Sequence, residues 1–354
     1  MMRRRHKAAA LCLAFLFVFP AFASCNSNDP GRSAGTGQDS RDAGSGQESR
    51  DAGSAQEGRQ AGSAQQTKTV AVLLPGPDEY FNATKAGMDR AAAEFGFEIS
   101  YADADWDAER QMSQIEDFIE KKADILAICC VDADAVETAI PMALGANIPV
   151  IAFKNAIGRA PTGQYPGLVT FVGQNEEDTG ETVGEHAKAL LGAGGGKVIV
   201  IEGDDSSTQQ ARRRAGFMKA IEAQPNIEVV YTASSEGDKE NATSIIKYQI
   251  DYNTEFDLVY AQDAGSGVGA AAAIVEAGRR DSIYVLAIDG SVEAMQSVKD
   301  GLIDSTTWMS AKEEGYMAIE AANRYFNGES VPSVTQLAQI LITKDNCDEY
   351  EAEY

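Results

Sequence analysis

The chain has 354 residues, with 54 acidic and 30 basic side chains, a formal net charge of −24 and 44% hydrophobic residues. This length provides for two domains with ordinary cores and excludes a mini-protein that needs disulfides or metals to fold. The acidity argues against nucleic acid as a partner, because a phosphate backbone attracts basic surfaces, and against adhesion to an anionic membrane surface for the same reason.

Residues 1–24 have the pattern of an export signal. Four basic residues fall within Met1–Lys7, the stretch Ala8–Ala23 is almost wholly apolar, and Ser24 and Cys25 follow. Secretory signals typically have a basic start, an apolar run too short to span a bilayer comfortably and small residues before the cleavage site. The end of this stretch resembles a bacterial lipoprotein box, which implies lipidation of Cys25 and anchoring to a membrane. The alternative is an ordinary signal peptide with Cys25 incidental.

Cysteine and histidine usage limits the chemistry that follows such a signal. After cleavage the cysteines are Cys25, Cys129, Cys130 and Cys347, and the one histidine is His186. With Cys25 acylated, too few thiols remain for a disulfide framework. The adjacent Cys129 and Cys130 are interpreted as buried small residues rather than as a redox device. No metal site and no cofactor is predicted.

Residues 25–67 are predicted to form a disordered tether. From Asn26 to Thr67 no Val, Ile, Leu, Met, Phe, Trp, Tyr or Cys occurs, so the stretch cannot build a core. It repeats every nine residues from Ala34, with a polar unit that matches no solenoid. As a flexible chain it would hold the following body roughly 35–40 Å from its anchor.

From Lys68 onward, short aliphatic runs alternate with helical patterns. Strands are predicted at residues 69–74, 98–102, 125–130, 149–153, 168–172, 197–201, 228–231, 258–262, 283–288, 305–309 and 337–342. Helices are predicted near residues 83–95, 108–121, 134–145, 177–191, 208–223, 240–252, 267–277, 291–300 and 311–326. Strands that are apolar throughout, in alternation with helices, predict an α/β fold with parallel sheets covered on both faces. The body is large for one such sheet, so two lobes are expected.

Polar and aromatic residues follow many of these strands, at the edge where open α/β sheets bind ligands. They are Asp78, Tyr80 and Phe81 after the first strand, Lys154 and Asn155 after the fourth, Arg212 and Arg213 after the sixth, and Asp263 and Asp289 after the eighth and ninth. Carboxylates and amides bind paired hydroxyls, aromatic faces cover the C–H face of a sugar ring, and arginine supplies a rigid donor fork. The sequence therefore predicts a site for a small hydroxylated ligand.

Each of these residues has a plainer structural alternative. Asp263 and Asp289 precede helices and suit N-caps. The Tyr80-Phe81 pair suits a hydrophobic staple, and the Lys154-Asn155 pair suits a surface loop. The evidence for a site is their shared position at the strand ends, since no single residue decides.

Enzyme motifs fit poorly. The glycine-rich run Gly192–Lys197 lacks the first glycine and the Ser or Thr of a phosphate loop, and it precedes a strand instead of following one. In the glycine-rich run that begins at Gly265, Ala270 stands where a dinucleotide-binding fingerprint has its third glycine. No Gly-x-Ser-x-Gly elbow with a histidine partner is present. Paired carboxylates remain open as an enzyme alternative, but a non-catalytic binding function is predicted.

Ten short segments follow one another along the body: Val70–Leu74 and Glu79–Asn82, Ala123–Cys129 and Asp132–Val136, Asn147–Ile151, Arg213-x-x-Gly-Phe217, Tyr260–Asp263, Ala287–Gly290, Gly315-Tyr316 and Leu341–Asn346. Together these segments resemble the type I periplasmic sugar-binding proteins of ABC transporters, the ribose- and arabinose-binding group. Their order and spacing are jointly specific and cover the body from Thr69 to about Tyr350.

The resemblance implies two Rossmann-like lobes joined by a three-strand hinge, with residues 68–174 and 310–336 in the first lobe and 175–309 and 337–354 in the second. It implies that the protein captures a small sugar in the cleft and delivers it to an ABC permease from an extracytoplasmic, membrane-anchored position. The alternatives are a sensing module that presents its closed form to a chemoreceptor or sensor kinase, and a non-sugar ligand such as a nucleoside.

The resemblance also implies residue roles. Tyr80 and Phe81 would sandwich the sugar ring, Asp263 and Asp289 would bind hydroxyls, and Arg212 or Arg213 would bind the ring oxygen or a hydroxyl; a one-residue gap leaves open which arginine it is. Met309 stands where the family commonly has a ligand-binding amide.

Lys154 departs from the family pattern, because it stands where an acid is usual. The reversed charge implies either a ligand with an acidic or phosphate-like group, or an internal ion pair between Lys154 and Asp289, which we favour.

Overall fold

A computed structural model describes residues 67–158, 160, 162–203 and 207–354. The predicted signal, Cys25 and the tether up to residue 66 lie outside the described residues. No helix among the described residues is long and apolar enough to cross a membrane.

The elements alternate along the chain. The first half comprises β1 (Thr69–Leu74), α1 (Glu79–Phe95), β2 (Glu98–Asp103), α2 (Ala108–Glu120), β3 (Ile125–Ile128), α3 (Ala133–Gly145), β4 (Val150–Phe153), β5 (Leu168–Gly173) and α4 (Glu176–Leu191). The second comprises β6 (Gly196–Glu202), α5 (Thr208–Glu222), β7 (Ile227–Ser234), α6 (Lys239–Asp251), β8 (Leu258–Ala261), α7 (Ala264–Glu276), β9 (Tyr284–Leu286), α8 (Val292–Lys299), β10 (Ser305–Trp308), α9 (Ala311–Phe326), β11 (Val334–Gln336) and β12 (Ile340–Thr343).

These strands form two six-stranded sheets. The first has the order β11-β5-β4-β3-β1-β2 and is parallel throughout, and the second has the order β12-β10-β9-β8-β6-β7 with only β12 antiparallel to its neighbour. Their central strands are fully buried, because an apolar core lies on each face of each sheet. Each sheet with its helices is one lobe.

The chain passes between the two sheets three times. It crosses from β5 to α4 at Gln174, from β10 to α9 at Met309, and from β11 to β12 at Leu337–Gln339. The prediction of one strand over 337–342 was wrong at this third crossing. The amide of Leu337 still donates to Gly173 O in the first sheet (2.8 Å), whereas Ile340–Thr343 form β12 in the second sheet. The apolar run predicted as one strand is therefore divided between the two sheets.

Two helices begin earlier than predicted because aspartates cap them. Asp78 Oδ1 accepts from the amide of Tyr80 (2.7 Å), so α1 begins at Glu79 instead of residue 83. Asp263 Oδ1 accepts from the amide of Ser266 (2.7 Å), so α7 begins at Ala264 instead of residue 267. Both aspartates satisfy amides that the helix cannot pair internally.

Glycines let one pair of helices in each lobe pack backbone to backbone. A Cβ on Gly315 of α9 would lie 2.0 Å from Thr84 O in α1, and one on Gly87 would lie 1.8 Å from Lys312 O. In the second lobe, a Cβ on Gly180 of α4 would lie 1.9 Å from Arg213 O in α5. These close approaches bring side chains of each helix pair together near the strand ends.

Candidate functional site

The carboxyl ends of the parallel strands in both sheets face a small cavity between the lobes. Its lining residues are Tyr80, Lys154, Gln174, Arg213, Ile288, Asp289, Gly290, Thr307, Met309, Gln339 and Tyr354. Both lobes and all three crossings contribute to this lining. Of the ten residues predicted for the site, it contains Tyr80, Lys154, Arg213, Asp289 and Met309.

Tyr80 forms one wall of the cavity and is 5% exposed. The Nζ of Lys154 lies 4.2 Å from the centroid of its ring, a distance at which the ring face attracts a cation. Its hydroxyl donates to Oε2 of Glu314 on α9 (2.7 Å), which the Gly87 and Gly315 contacts bring close to α1.

Glu314 is a fully buried carboxyl behind this wall. Burial raises its pKa to about 7, although the charge of Lys154 and the hydrogen bond from Tyr80 act in the opposite direction. Its second oxygen, Oε1, has no hydrogen-bond partner among the described residues. Lys154 therefore compensates an internal carboxyl.

A buried ion pair forms the opposite wall. Arg213 on α5 donates from Nε to Oε2 of Glu176 (2.6 Å) and from Nη2 to Oε1 (3.2 Å), and from Nη1 to Gln262 O (2.8 Å). Burial by itself would raise the pKa of Glu176, but the Arg213 charge holds it below its ordinary value. The guanidinium is thus fixed before any ligand arrives, so binding does not have to order it.

Polar groups on the remaining walls are also held in place. Asp289 accepts from the amide of Gly290 at Oδ1 (2.8 Å). Gln339 donates to Thr307 Oγ1 (2.7 Å) and accepts from Thr179 Oγ1 (2.5 Å). Gln174 donates to Glu176 Oε1 (2.7 Å), while its own Oε1 has no partner among the described residues. The cavity therefore offers carboxylate, amide, hydroxyl and guanidinium groups to a ligand rich in hydroxyls.

Three of the other predicted residues serve the local structure instead of lining the cavity. Asp78 and Asp263 are the helix caps described above, and Asp263 also accepts from the Ser266 hydroxyl at Oδ2 (2.8 Å). Phe81 is buried in the first lobe, with its ring centroid 6.3 Å from that of Trp106.

Asn155 and Arg212 hold neighbouring segments. Asn155 Nδ2 donates to Cys130 O (2.8 Å), which joins the ends of β3 and β4. Arg212 Nη2 donates to Gly158 O (3.2 Å), so this arginine reaches from the second lobe to the loop after β4 in the first. Among the described residues Cys129, Cys130 and Cys347 are free and buried.

The internal pair favoured for Lys154 is not formed. Among the described residues Lys154 makes no ion pair with Asp289, and its ammonium faces Tyr80 instead. The two residues come from different lobes, and their separation could not be obtained from the sequence.

Sequence reasoning missed several lining residues. Gln174 lies two residues after the end of the fifth predicted strand and was available by the strand-end rule. Thr307 lies within a predicted strand, Gln339 lies where a strand was wrongly predicted, and Tyr354 belongs to a stretch without periodicity. For these three the sequence carries no signal, because only the crossing geometry brings them to the cavity.

Comparison with known proteins identifies the class. Residues 70–330 match the family model described as a periplasmic binding protein domain, and the chain belongs to this family. Its two lobes with parallel-dominated sheets are those of a type I periplasmic sugar-binding protein, which places the family extracytoplasmically. The predicted family resemblance and fold class are confirmed.

Individual relatives agree with this class. The chain is 27% identical over 252 residues to the ribose import binding protein of Bacillus subtilis (71% of this chain, 79% of the relative). It is 29% identical over 279 residues to a putative rhizopine-binding protein of Rhizobium meliloti (77% and 89%). Among solved structures, an ABC transporter solute-binding protein from Bacillus halodurans with bound myo-inositol superposes with a TM-score of 0.74 at 27% identity, covering 81% of this chain and 98% of that one.

Proposed function

We propose that this protein is an extracytoplasmic lipoprotein that captures a small sugar or cyclic polyol between its lobes and delivers it to an ABC permease. The observation that carries the proposal is the composition of the cavity. An aromatic wall and an ammonium from the first lobe face a fixed guanidinium and a carboxylate from the second. A ring that carries several hydroxyls would contact both sides at once.

Capture works by population shift. A ligand contacts Tyr80 and Lys154 on one lobe and Arg213 and Asp289 on the other only when the lobes are closed. Its affinity for the closed form therefore exceeds its affinity for the open form, and binding favours closure. The permease then recognises the closed form, and the protein itself makes and breaks no covalent bond in the ligand.

The ligand is neutral in this proposal. Arg213 is paired with the buried Glu176, Lys154 lies near the buried Glu314, and Asp289 supplies a further carboxyl, so the cavity has no surplus positive charge for an anionic ligand. Ribose and myo-inositol, which appear in the names of relatives, are neutral hydroxylated molecules.

A thermal-shift screen of residues 68–354 tests the ligand class. We expect at least one pentose, hexose or inositol to raise the melting temperature, because a ligand at one hundred times its Kd stabilises the folded state by about 2.7 kcal/mol. Asp289→Asn should reduce this shift strongly, whereas the control Asp251→Asn, on the exposed end of α6, should keep it. A shift caused only by nucleosides or amino acids would change the ligand class, and the absence of any shift would overturn the binding function.

Anchoring is tested separately on the full chain in a bacterial host. The signal pattern and Cys25 support acylation, so wild-type protein should partition into the membrane fraction, and Cys25→Ser should appear in the soluble extracytoplasmic fraction. Equal soluble recovery of both proteins would contradict the anchor and leave the ligand proposal intact.

A further inference from the structure

Residues Tyr350–Tyr354, which we name the strap, follow the second lobe and run across the mouth of the cleft. Trp308 Nε1 donates to Glu351 O (3.0 Å), and the rings of Trp308 and Tyr350 lie 5.2 Å apart. The amide of Val292 on α8 donates to Tyr354 O (2.6 Å). The strap is thus attached to the second lobe at two places.

The strap also binds the first lobe. The carboxylate of Glu353 accepts from the Ser310 hydroxyl (2.8 Å) and from the amide of Lys312 (2.9 Å), at the amino end of α9. A helix N-terminus favours an anion at this position. The strap therefore connects both lobes while they are closed.

Tyr354 occupies the centre of the site. Its ring meets that of Tyr80 edge to face, with centroids 5.0 Å apart, and its hydroxyl donates to Asp289 Oδ1. Tyr354 therefore occupies the aromatic wall of the first lobe and the carboxylate of the second lobe, which a ligand would otherwise contact. The phenol makes two contacts that a bound sugar would make: a ring against the aromatic wall and a hydroxyl on the carboxylate.

The remaining space is too small for a ligand. With Tyr354 in place the cavity has a volume of about 10 Å³, enough for at most one water molecule. Small-molecule sites usually have several hundred Å³. A sugar ring cannot enter until the phenol leaves.

We infer that Tyr354 is an intramolecular competitor that occupies the ring position of the cleft, so that any cyclic ligand must displace the strap to bind. This inference deepens the proposed function and rests on it for the identity of the ligand. Displacement lowers the apparent affinity in proportion to the fraction of molecules whose site is accessible. The strap thus sets the ligand concentration at which the protein responds.

Affinity measurements on three variants test the competitor. Calorimetry or a thermal-shift titration with D-ribose, myo-inositol and p-cresol, the free form of the tyrosine side chain, is performed on wild type, Tyr354→Ala, Tyr354→Phe and the control Tyr252→Ala. Tyr252 is an exposed tyrosine at the carboxyl end of α6. We expect Tyr354→Ala to lower Kd about tenfold, Tyr354→Phe to lower it less, and Tyr252→Ala to leave it unchanged.

The probes separate this inference from the proposed function. p-Cresol binding to Tyr354→Ala but not to wild type would support the competitor, while the absence of a shift from every sugar and polyol in the screen described above would overturn the sugar proposal. Sugar binding that weakens in Tyr354→Ala would make Tyr354 a wall of the site and overturn the competitor. Failure of all three probes to bind Tyr354→Ala would overturn the competitor as well.

Hydrogen exchange of the ligand-free proteins adds a readout without any probe. The amide of Val292 should exchange slowly in wild type, because Tyr354 O accepts its hydrogen, and faster in Tyr354→Ala. Rapid exchange in wild type would overturn the inference directly.

Discussion

Glu314 is a carboxyl that burial holds partly protonated near neutral pH. Its pKa of about 7 lies above the ordinary value of 4.5, so between about pH 4.5 and 7 the native protein retains a proton that the unfolded chain releases. Stability due to this group is therefore greatest below pH 4.5 and decreases as pH rises through the native pKa.

The variant Glu314→Gln should remove this pH dependence. Because the amide keeps an acceptor for the Tyr80 hydroxyl and carries no charge, we expect similar free energies of unfolding at pH 5 and a variant more stable by about 2–3 kcal/mol at pH 8. Urea denaturation at both pH values measures the difference. The exposed neighbour Glu313→Gln serves as control, and a parallel pH profile for wild type and Glu314→Gln would contradict the prediction.

At the scale of residues, the sequence predicted which kinds of side chain line the cavity better than it predicted which individual side chains point into it. The strand-end rule pointed to Tyr80 and Asp289, both of which line the cavity. It could not distinguish Arg212 from Arg213, because neighbours on a helix diverge by about 100° and only the position of α4 decides which one is buried. It gave no indication of Tyr354, whose contacts depend on a long-range chain path.

Close helix pairs position the buried charges at the scale of elements. The α1–α9 contact brings Glu314 to Tyr80, and the α4–α5 contact brings Glu176 to Arg213. In both cases a glycine replaces the side chain that would separate the helices. Sequence periodicity predicted all nine α-helices in the described part of the chain, but the packing distance between them is a tertiary property.

Gly315→Ala should disturb the first of these contacts. Its new Cβ would lie 2.0 Å from Thr84 O, a backbone atom that cannot turn away, so we expect a loss of about 1–3 kcal/mol and weaker ligand binding as Tyr80 shifts. Chemical denaturation measures the loss. Gly145→Ala on α3, where no atom lies within 4 Å of a new Cβ, should change stability by less than about 0.5 kcal/mol; an equal loss in both variants would show that tight packing is not the cause.

At the scale of the whole molecule, Arg212 is a latch between the lobes. Its hydrogen bond to Gly158 O spans the cleft without lining the cavity, so it stabilises the closed form alone. A charged donor to a carbonyl contributes about 1 kcal/mol when partly exposed. Arg212→Ala should therefore shift the population towards the open form.

Small-angle scattering and ligand titration check this shift. We expect Arg212→Ala to have a larger radius of gyration and a Kd raised about fivefold, with little change in melting temperature. Arg214→Ala is the matched control, since Arg214 pairs with Glu202 in its own lobe. Identical scattering and affinity for wild type and Arg212→Ala would show that the bond does not stabilise closure.

The three crossings have a consequence for how the chain matures. Two elements of the first lobe, α9 and β11, follow almost the entire second lobe in the sequence. Strand β11 completes the first sheet, and α9 packs against α1. A ribosome or an export channel delivers the chain from its amino end. The first lobe therefore stays incomplete until nearly all of the second lobe has emerged. The two lobes have separate cores, yet they complete their folding together as a single event.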